Sequence, residues 1–272
     1  MSKKALSAPF LIWIACGTVI PLLVLAYYGL TDRSGAFTFE NFIAIFGAEH
    51  AKALGLSLLL AFISTVICFL LAYPLALILR ESRFGKKGFM IFIFILPMWM
   101  NFLLRTYAWA AILGQNGLLS SFLGIFGIGY NSILYTPFAV LIGMVYDFLP
   151  FMVLPIYTSL SKMDDNLIDA AHDLGASNFT VFRKIIFPLS MPGVFSGITM
   201  VFMPSVTSFA ISRILGGGKT MLIGDLIEQQ FTVVGNWNFG SAVSMVLTVV
   251  ILISMTIMSR MDDEDGQGGM IL

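Results

Sequence analysis

Residues 161–193 decide the fold, and they read "SKMDDNLIDAAHDLGASNFTVFRKIIFPLSMPG". The polar residues Asp164, Asp165 and Asn166 are natural helix N-caps, and acidic residues at a helix start complement the helix dipole. The apolar positions that follow recur at spacings of three and four: Leu167, Ala170, Ala171 and Leu174. Gly175 can adopt the left-handed conformation that ends a helix. The pattern predicts a short amphipathic helix between two apolar segments.

The composition of the whole chain is that of an integral membrane protein. Of its 272 residues, 58% are hydrophobic and 11% are charged. Soluble domains carry about 25% charged residues, so this chain has too few to cover a water-facing surface. Fifteen basic residues balance fifteen acidic ones. The balance argues against a nucleic-acid partner.

Six segments are long and apolar enough to cross a bilayer core of about 30 Å. They are Ala8–Leu30, Leu54–Leu79, Phe89–Leu113, Pro137–Leu160, Leu189–Ile211 and Ser241–Ser259. The first follows Lys3 and Lys4, as a secretory signal would, but its apolar run is too long for one, so we expect a retained helix.

The domain organisation follows from these spans. We expect an N-terminal transmembrane helix and external loop at 1–53, a transmembrane domain at 54–259 and an acidic cytoplasmic tail at 260–272. The absence of an internal repeat of 20–50 residues indicates one membrane domain.

The basic residues predict the orientation, because cytoplasmic loops are enriched in Lys and Arg. With the N-terminus inside, the cytoplasmic side holds ten of them: Lys3, Lys4, Arg80, Arg83, Lys86, Lys87, Lys162, Arg183, Lys184 and Arg260. The outside holds four: Arg33, Lys52, Arg213 and Lys219. Both termini are therefore predicted to be cytoplasmic.

The amphipathic helix between the fourth and fifth spans suits docking of another protein. An interfacial helix lying on lipid usually carries Lys or Arg on its polar face. This helix carries acidic residues instead: Asp164, Asp165, Asp169 and Asp173. Because anionic lipid headgroups repel acidic side chains, we favour docking on a protein over binding to the lipid surface.

The sequence of this helix resembles a family motif. "DAAHDLG" followed by "IIFP" is similar to the EAA motif of binding-protein-dependent ABC import permeases, E-A-A-x-x-x-G followed by I-x-L-P. Six residues fall in register: Asp169, Ala170, Ala171, Gly175, Ile185 and Pro188. Two conservative departures are Asp169 in place of Glu and Phe187 in place of Leu. The resemblance implies a coupling helix that inserts into a groove of a cytoplasmic ATPase.

Other segments resemble the membrane subunit of spermidine/putrescine importers: "LPMWMNFLLRTYAWAAILGQNGLLS", "VYDFLPFMVLPIYTSL", "LGGGKTMLIGDLIEQQF" and "NWNFGSA". The resemblance implies an all-α permease of the type I importer fold, in the cytoplasmic membrane of a bacterium. It also implies the partners: a second homologous permease, an ABC ATPase dimer and an extracytoplasmic substrate-binding protein. ATP and Mg would be used by the ATPase, with no cofactor bound by this chain.

Two ionisable residues fall within the predicted spans, where a charge is costly and usually functional. Asp147 lies about 15 Å from the outer end of its helix, near the midplane. Its carboxylate can neutralise an ammonium group of a polyamine, with Tyr146 and Trp99 offering cation–π faces. The alternative is a structural hydrogen bond to a neighbouring helix. For Arg105, which would repel a cation, we favour a structural role, including a pair with Asp147 if the helices pack suitably.

The fifth span carries further candidates for the pathway. Gly197 and Pro204 favour a kink near the middle of the membrane. By resemblance Phe209 is a pathway aromatic. Ala210 stands where a second aromatic is common, and Arg213 where polyamine permeases can carry an acid. These departures leave other cargoes open: iron, an inorganic anion or another organic cation.

No catalytic or metal site is predicted. His50 and His172 lie in predicted aqueous loops, and Cys16 and Cys68 lack metal-ligand spacing. Gly218-Lys219-Thr220 ends like a phosphate loop, but the first glycine of that motif would fall at Arg213. An ion-coupled secondary transporter remains a less favoured alternative, since such folds usually contain inverted repeats.

Overall fold

A computed structural model of the protein describes residues 13–81, 96, 98–127, 129 and 131–267. This part of the chain is helical apart from turns, loops and one isolated antiparallel bridge between Thr31 and Phe37. The predicted all-α class is confirmed.

Eleven helices lie in the described residues, and we number them in chain order. They are α1 (Ala15–Gly29), α2 (Glu40–Ile45), α3 (Ala48–Glu81), α4 (Phe102–Leu113), α5 (Leu118–Ile125), α6 (Pro137–Ser161), α7 (Asp165–Asp173), α8 (Asn178–Thr207), α9 (Ala210–Gly216), α10 (Ile223–Gln229) and α11 (Trp237–Gln267). A π-helical turn lies within α1, another within α8 at Phe182–Ile186, and a third after α10.

Five helical stretches of the described chain are long and apolar enough to cross a membrane. They are α3, α4 with α5, α6, α8 and Trp237–Thr256 of α11. Helix α1 is apolar but shorter over its described length, and the predicted first span begins at Ala8, outside the described residues. The structure therefore bears out a multi-pass membrane protein.

Two of the predicted spans are interrupted by residues that are not helical. The third was predicted as one helix from Phe89, and its first residues lie outside the described part. The chain leaves the helical conformation at Asn101, where the side chain accepts the N–H groups of Leu103 and Leu104 at 2.9 and 3.3 Å. This cap starts α4 anew, so a single continuous helix was wrong.

The fifth span was predicted to run to Ile211, but α8 ends at Thr207 because Ser208 is extended. The carbonyls of Thr207 and Ser208 face Gly224 of α10, and a Cβ there would lie 2.7 Å from the Thr207 oxygen. The interrupted helix thus makes room for α10.

Helices α3, α6 and α8 form the central packing unit. Gly193 and Gly197 let α8 approach α6 closely, since a Cβ on Gly193 would lie 2.6 Å from the Ser159 Cβ. Small residues four apart are a common solution where helices pack in membranes. Helix α8 continues through Gly197 and Pro204, the two residues at which the sequence predicts a kink.

Helices α1 and α11 pack together beside this unit. The Asn238 side chain, at the start of α11, donates to the carbonyls of Tyr28, Thr31 and Asp32 at 3.1, 2.7 and 3.2 Å. This contact ties the end of α1 to the start of α11.

A sharp turn follows α9 at Gly217 and Gly218. Gly217 and Gly218 have φ values of +55° and +75°, and the ring of Tyr135 packs where a side chain on Gly217 would lie. The Tyr135 N–H donates to the Leu215 carbonyl at 2.8 Å. The turn after α9 therefore packs against the loop that precedes α6.

Candidate functional site

Residues 164–188, here called the docking segment, form the first part of the site. The Asp164 carboxylate caps α7 by accepting the Asn166 N–H at 3.0 Å. The helix ends at Gly175, which has φ +81° and donates its N–H to the His172 carbonyl at 2.8 Å. Both ends of the predicted helix agree with the sequence pattern.

The apolar face of α7 is not covered by the rest of the described chain. None of its residues is buried, and Leu167 and Leu174 are 49% and 89% exposed. Of the motif residues, Asp169, Ala170, Gly175 and Pro188 are exposed, and Ala171 and Ile185 are half-buried. An exposed apolar face of this kind marks a surface for contact with another protein or with the membrane.

The docking segment is nevertheless anchored to α3. Phe182 and Phe187 pack their rings against Tyr73, with centroids 5.9 and 5.7 Å apart. The Tyr73 hydroxyl bonds the Ser190 hydroxyl at 2.8 Å. Farther along α3, Arg80 forms an ion pair with Asp165 at 2.7 Å. Movement of the docking segment would therefore act on α3.

A cleft of about 740 Å³ opens between α6 and α8 next to the docking segment. Its wall is mainly apolar and carries three hydroxyls: Thr158, Ser159 and Ser196. Lys162 and Asp164 also line this cleft.

The two intramembrane charges meet in the structure. Arg105 Nε lies 3.3 Å from Asp147 Oδ1, and their side chains are 7% and 1% exposed. The Thr106 hydroxyl donates to Asp147 Oδ2 at 3.5 Å. Among the described groups, Arg105 Nε, Arg105 Nη1 and Asp147 Oδ1 have no hydrogen-bond partner of good geometry. The pair balances charge while keeping hydrogen-bonding capacity unused.

The predicted pathway aromatics are exposed, whereas Asp147 is buried. Tyr146 is 38% exposed and packs edge-on against Trp109, at a centroid distance of 5.3 Å. Trp99 is 76% exposed, and Phe209 is 46% exposed at the break between α8 and α9. Within the described residues, no hydrogen bond or ring contact links Trp99 or Phe209 to Asp147.

An acidic pocket of about 170 Å³ lies beside the glycine turn, and the sequence did not single it out. Arg213 is paired there with Glu228 at 2.6 Å. Burial raises the pKa of the Asp225 carboxyl, while hydrogen bonds from Ser212 and the Leu222 N–H lower it. The signal was the pair of acids three residues apart after the glycine run. The described part of the chain contains no cluster of His, Cys, Asp or Glu that could hold a metal ion.

Together these features define a multi-pass helical membrane protein with an exposed amphipathic helix between two of its spans. The family model described as "Binding-protein-dependent transport system inner membrane component" matches residues 1–263. The chain belongs to this family.

Named relatives cover nearly the whole chain. The spermidine/putrescine transport system permease protein PotB of Haemophilus influenzae is 38% identical over 256 residues, covering 91% of this chain and 90% of that protein. PotB of Escherichia coli K12 is 37% identical, covering 88% and 90%. The inner membrane ABC transporter permease protein YdcU of the same organism is 26% identical, covering 90% and 84%.

Solved structures share the fold. A bacterial ABC transporter involved in the import of the acidic polysaccharide alginate matches with a TM-score of 0.83 and 16% identity, covering 96% of this chain and 94% of that chain. The MetNI methionine ABC transporter, in an inward-facing conformation, matches with a TM-score of 0.60 and 17% identity, covering 79% and 95%. At these identities the match shows the permease fold alone.

Proposed function

We propose that this chain is the membrane subunit of an ATP-driven importer that admits polyamines such as spermidine and putrescine. The observation that carries the proposal is its identity of 36–38% to permeases named for that transport, over about nine-tenths of the chain. The chain would lie in a bacterial cytoplasmic membrane with both termini inside.

The partners would be those that the motif implies. A second homologous permease would complete the pathway, and an external binding protein would deliver the cargo. The docking segment would insert into a cytoplasmic ATPase dimer that binds ATP and Mg. The bare apolar face of α7, with Leu174 at 89% exposed, supports this docking.

The mechanism assigns a mechanical role to this chain and leaves ATP hydrolysis to the partner. Closure of the ATPase dimer would displace α7, and the displacement would switch the two gates of the pathway. The Gly218-Lys219-Thr220 run takes no part in nucleotide binding, because it joins helices α9 and α10 and the motif lacks its first glycine.

The local charges support a cationic cargo. In the sequence, the positive charge of Arg213 argued against a cationic cargo. In the structure, Glu228 offsets that charge in an ion pair at 2.6 Å. Asp225 lines the same pocket and leaves it with an acidic balance. The exposed rings of Tyr146, Trp99 and Phe209 would offer cation–π faces to the ammonium groups of a polyamine.

The burial of Asp147 limits its contact with a cargo. It is 1% exposed and paired with Arg105, so a cargo ammonium would reach Asp147 Oδ1 only if the pair opened. We therefore propose pathway contact mainly for the exposed aromatics.

The alternative is the same importer class with another cargo, and Arg213 and Ala210 are the residues that favour it. Uptake by the complete complex in vesicles decides between the two. Labelled spermidine and putrescine should accumulate with ATP, and unlabelled polyamines should compete. Uptake that polyamines do not reduce, but iron or an inorganic anion does, would contradict the polyamine assignment.

A further inference from the structure

Helix α7 has few connections through which it can move the rest of its own chain. It buries none of its residues, and within the described chain it packs against the first turn of α8. The ion pair between Arg80 and Asp165 is a direct link from α7 to a membrane-spanning helix. A displacement of α7 can therefore reach α3 directly through this pair, besides acting through its flanking loops and through α8.

The position of Arg80 on α3 suits such a link. Arg80 lies in the last turn of α3, and its side chain is 12% exposed, so little freedom of position remains to it. Tyr73 packs against Phe182 of the docking segment. It lies seven residues before Arg80 and hence on nearly the same face of the helix. The docking segment thus holds α3 at two points along one face.

Pro74 lies between these two points and loosens the helix there. Proline has no N–H to donate to the carbonyl four residues earlier, so a helical hydrogen bond to Leu70 is missing. The last two turns of α3 are therefore less firmly tied to the rest of the helix than an unbroken ladder would tie them. A pull at Arg80 acts on this looser end.

We propose that Arg80 is a positioning residue whose ion pair with Asp165 transmits the movement of α7 to the last turns of α3. This inference rests on the proposed ATP-driven function. An ion pair with one partner as exposed as Asp165, at 68%, adds little to stability. Its loss should leave the folded chain in the membrane while weakening the link between ATP hydrolysis and transport.

The test uses the complete complex in vesicles and two readouts. The first is the ratio of spermidine uptake to ATP hydrolysed. The second needs no cargo: it is the ATP-dependent change in thiol labelling of an Ile78→Cys reporter, which lies in the last turns of α3 and is 63% exposed, in a chain with Cys16→Ala and Cys68→Ala. The variants are Arg80→Gln, Asp165→Asn and the exchange Arg80→Asp with Asp165→Arg. The matched control is Glu81→Gln, which removes the neighbouring exposed charge on the same helix.

Each single variant should lower the uptake ratio about fivefold or more, in the range of coupling between sites, with normal amounts of chain in the membrane. The reporter change should fall in parallel. The exchange should restore both readouts, and Glu81→Gln should match the wild type. Wild-type readouts in both single variants, or no recovery in the exchange, would overturn the role of the pair.

The same experiment separates this inference from the function beneath it. The wild-type reporter can respond to ATP while the complex takes up no spermidine. That result contradicts the polyamine assignment, and the labelling readout alone then tests the role of the ion pair. A wild-type reporter that does not respond to ATP contradicts the ATP-driven function, and the inference fails with it.

Discussion

Arg105 and Asp147 neutralise one another inside the membrane-spanning helices. Either charge alone would cost about 2.5–3.5 kcal/mol at the centre of a spanning helix on insertion scales. At 3.3 Å, and with exposures of 7% and 1%, each offsets the cost of the other. Removing one partner leaves the other charge buried without compensation.

Asp147→Asn should therefore lower the free energy of unfolding of the purified protein by about 3 kcal/mol. Arg105→Gln should have a similar effect. The double variant Arg105→Gln with Asp147→Asn should cost clearly less than the sum of the two, because it leaves no lone charge. Thermal unfolding of the three variants in one detergent measures this. Strictly additive effects would show that the pair contributes no coupling.

Tyr146 allows the cation–π proposal to be tested without disturbing a charge. Tyr146→Leu should reduce the affinity for spermidine several-fold, the loss expected from about 1 kcal/mol of cation–π attraction. Tyr146→Phe keeps the ring and its edge contact with Trp109 at 5.3 Å, so its uptake should stay near the wild-type level. The concentration dependence of uptake is the measurement. Equal affinity in the Leu and Phe variants would remove Tyr146 from the pathway.

At this scale the sequence identified the charged residues but not their geometry. Asp147 and Arg105 stood out because charges are rare in apolar spans, and a pair was one of the alternatives. Their distance depends on how α4 packs against α6, which local sequence does not encode. Glu228 was missed for a related reason, since its importance comes from Arg213 on a different helix.

Among the elements, the bounds of α7 follow from local sequence, although the rest of the described chain does not cover its apolar face. Its N-cap, Asp164, and the left-handed glycine just after its C-terminus, Gly175, were both predictable because caps depend on a few adjacent residues. The start of α4 and the end of α8 were not, because Asn101 and Ser208 interrupt apolar runs that hydropathy treats as continuous.

Two substitutions test α7 as the element that engages the ATPase. Gly175→Pro should abolish uptake, because proline holds φ near −65° whereas Gly175 has φ +81°. Asp169→Lys should abolish it by reversing an exposed charge of the motif. Both variants should reach the membrane in normal amounts. Gly175→Asn is the control, since asparagine tolerates the left-handed region, and it should retain most uptake. Wild-type uptake by the Pro and Lys variants would contradict the role of α7.

The approach of α6 and α8 gives a second test at this scale. Gly193→Ala should destabilise the protein by about 2 kcal/mol, since the new Cβ would lie 2.6 Å from the Ser159 Cβ and 2.7 Å from the Pro155 carbonyl oxygen. Gly55→Ala makes the same change in α3, where nothing lies within 4 Å, and should stabilise by up to about 1 kcal/mol. Thermal unfolding compares them. An equal effect of both would show that the contact between α6 and α8 is not tight.

For the molecule as a whole, the path of the chain shows which segments lie at each end of the helix bundle. Helix α8 leads away from the docking segment to Thr207, and α9 and α10 connect it to the start of α11. There Asn238 contacts the turn that follows α1. The loop containing Ser34 therefore lies at the end opposite the docking segment.

The bias of ten basic residues against four predicts which end faces the cytoplasm. In a chain with Cys16→Ala and Cys68→Ala, a Ser34→Cys reporter should react with a membrane-impermeant maleimide in right-side-out vesicles. An Asn178→Cys reporter, in the docking segment, should react only after the membrane is permeabilised. Inside-out vesicles are the control and should show the reverse pattern. Labelling of Asn178→Cys but not Ser34→Cys in the right-side-out vesicles would contradict the orientation. It would also place α7 on the side where ATP is scarce, so the coupling proposal would fall with it.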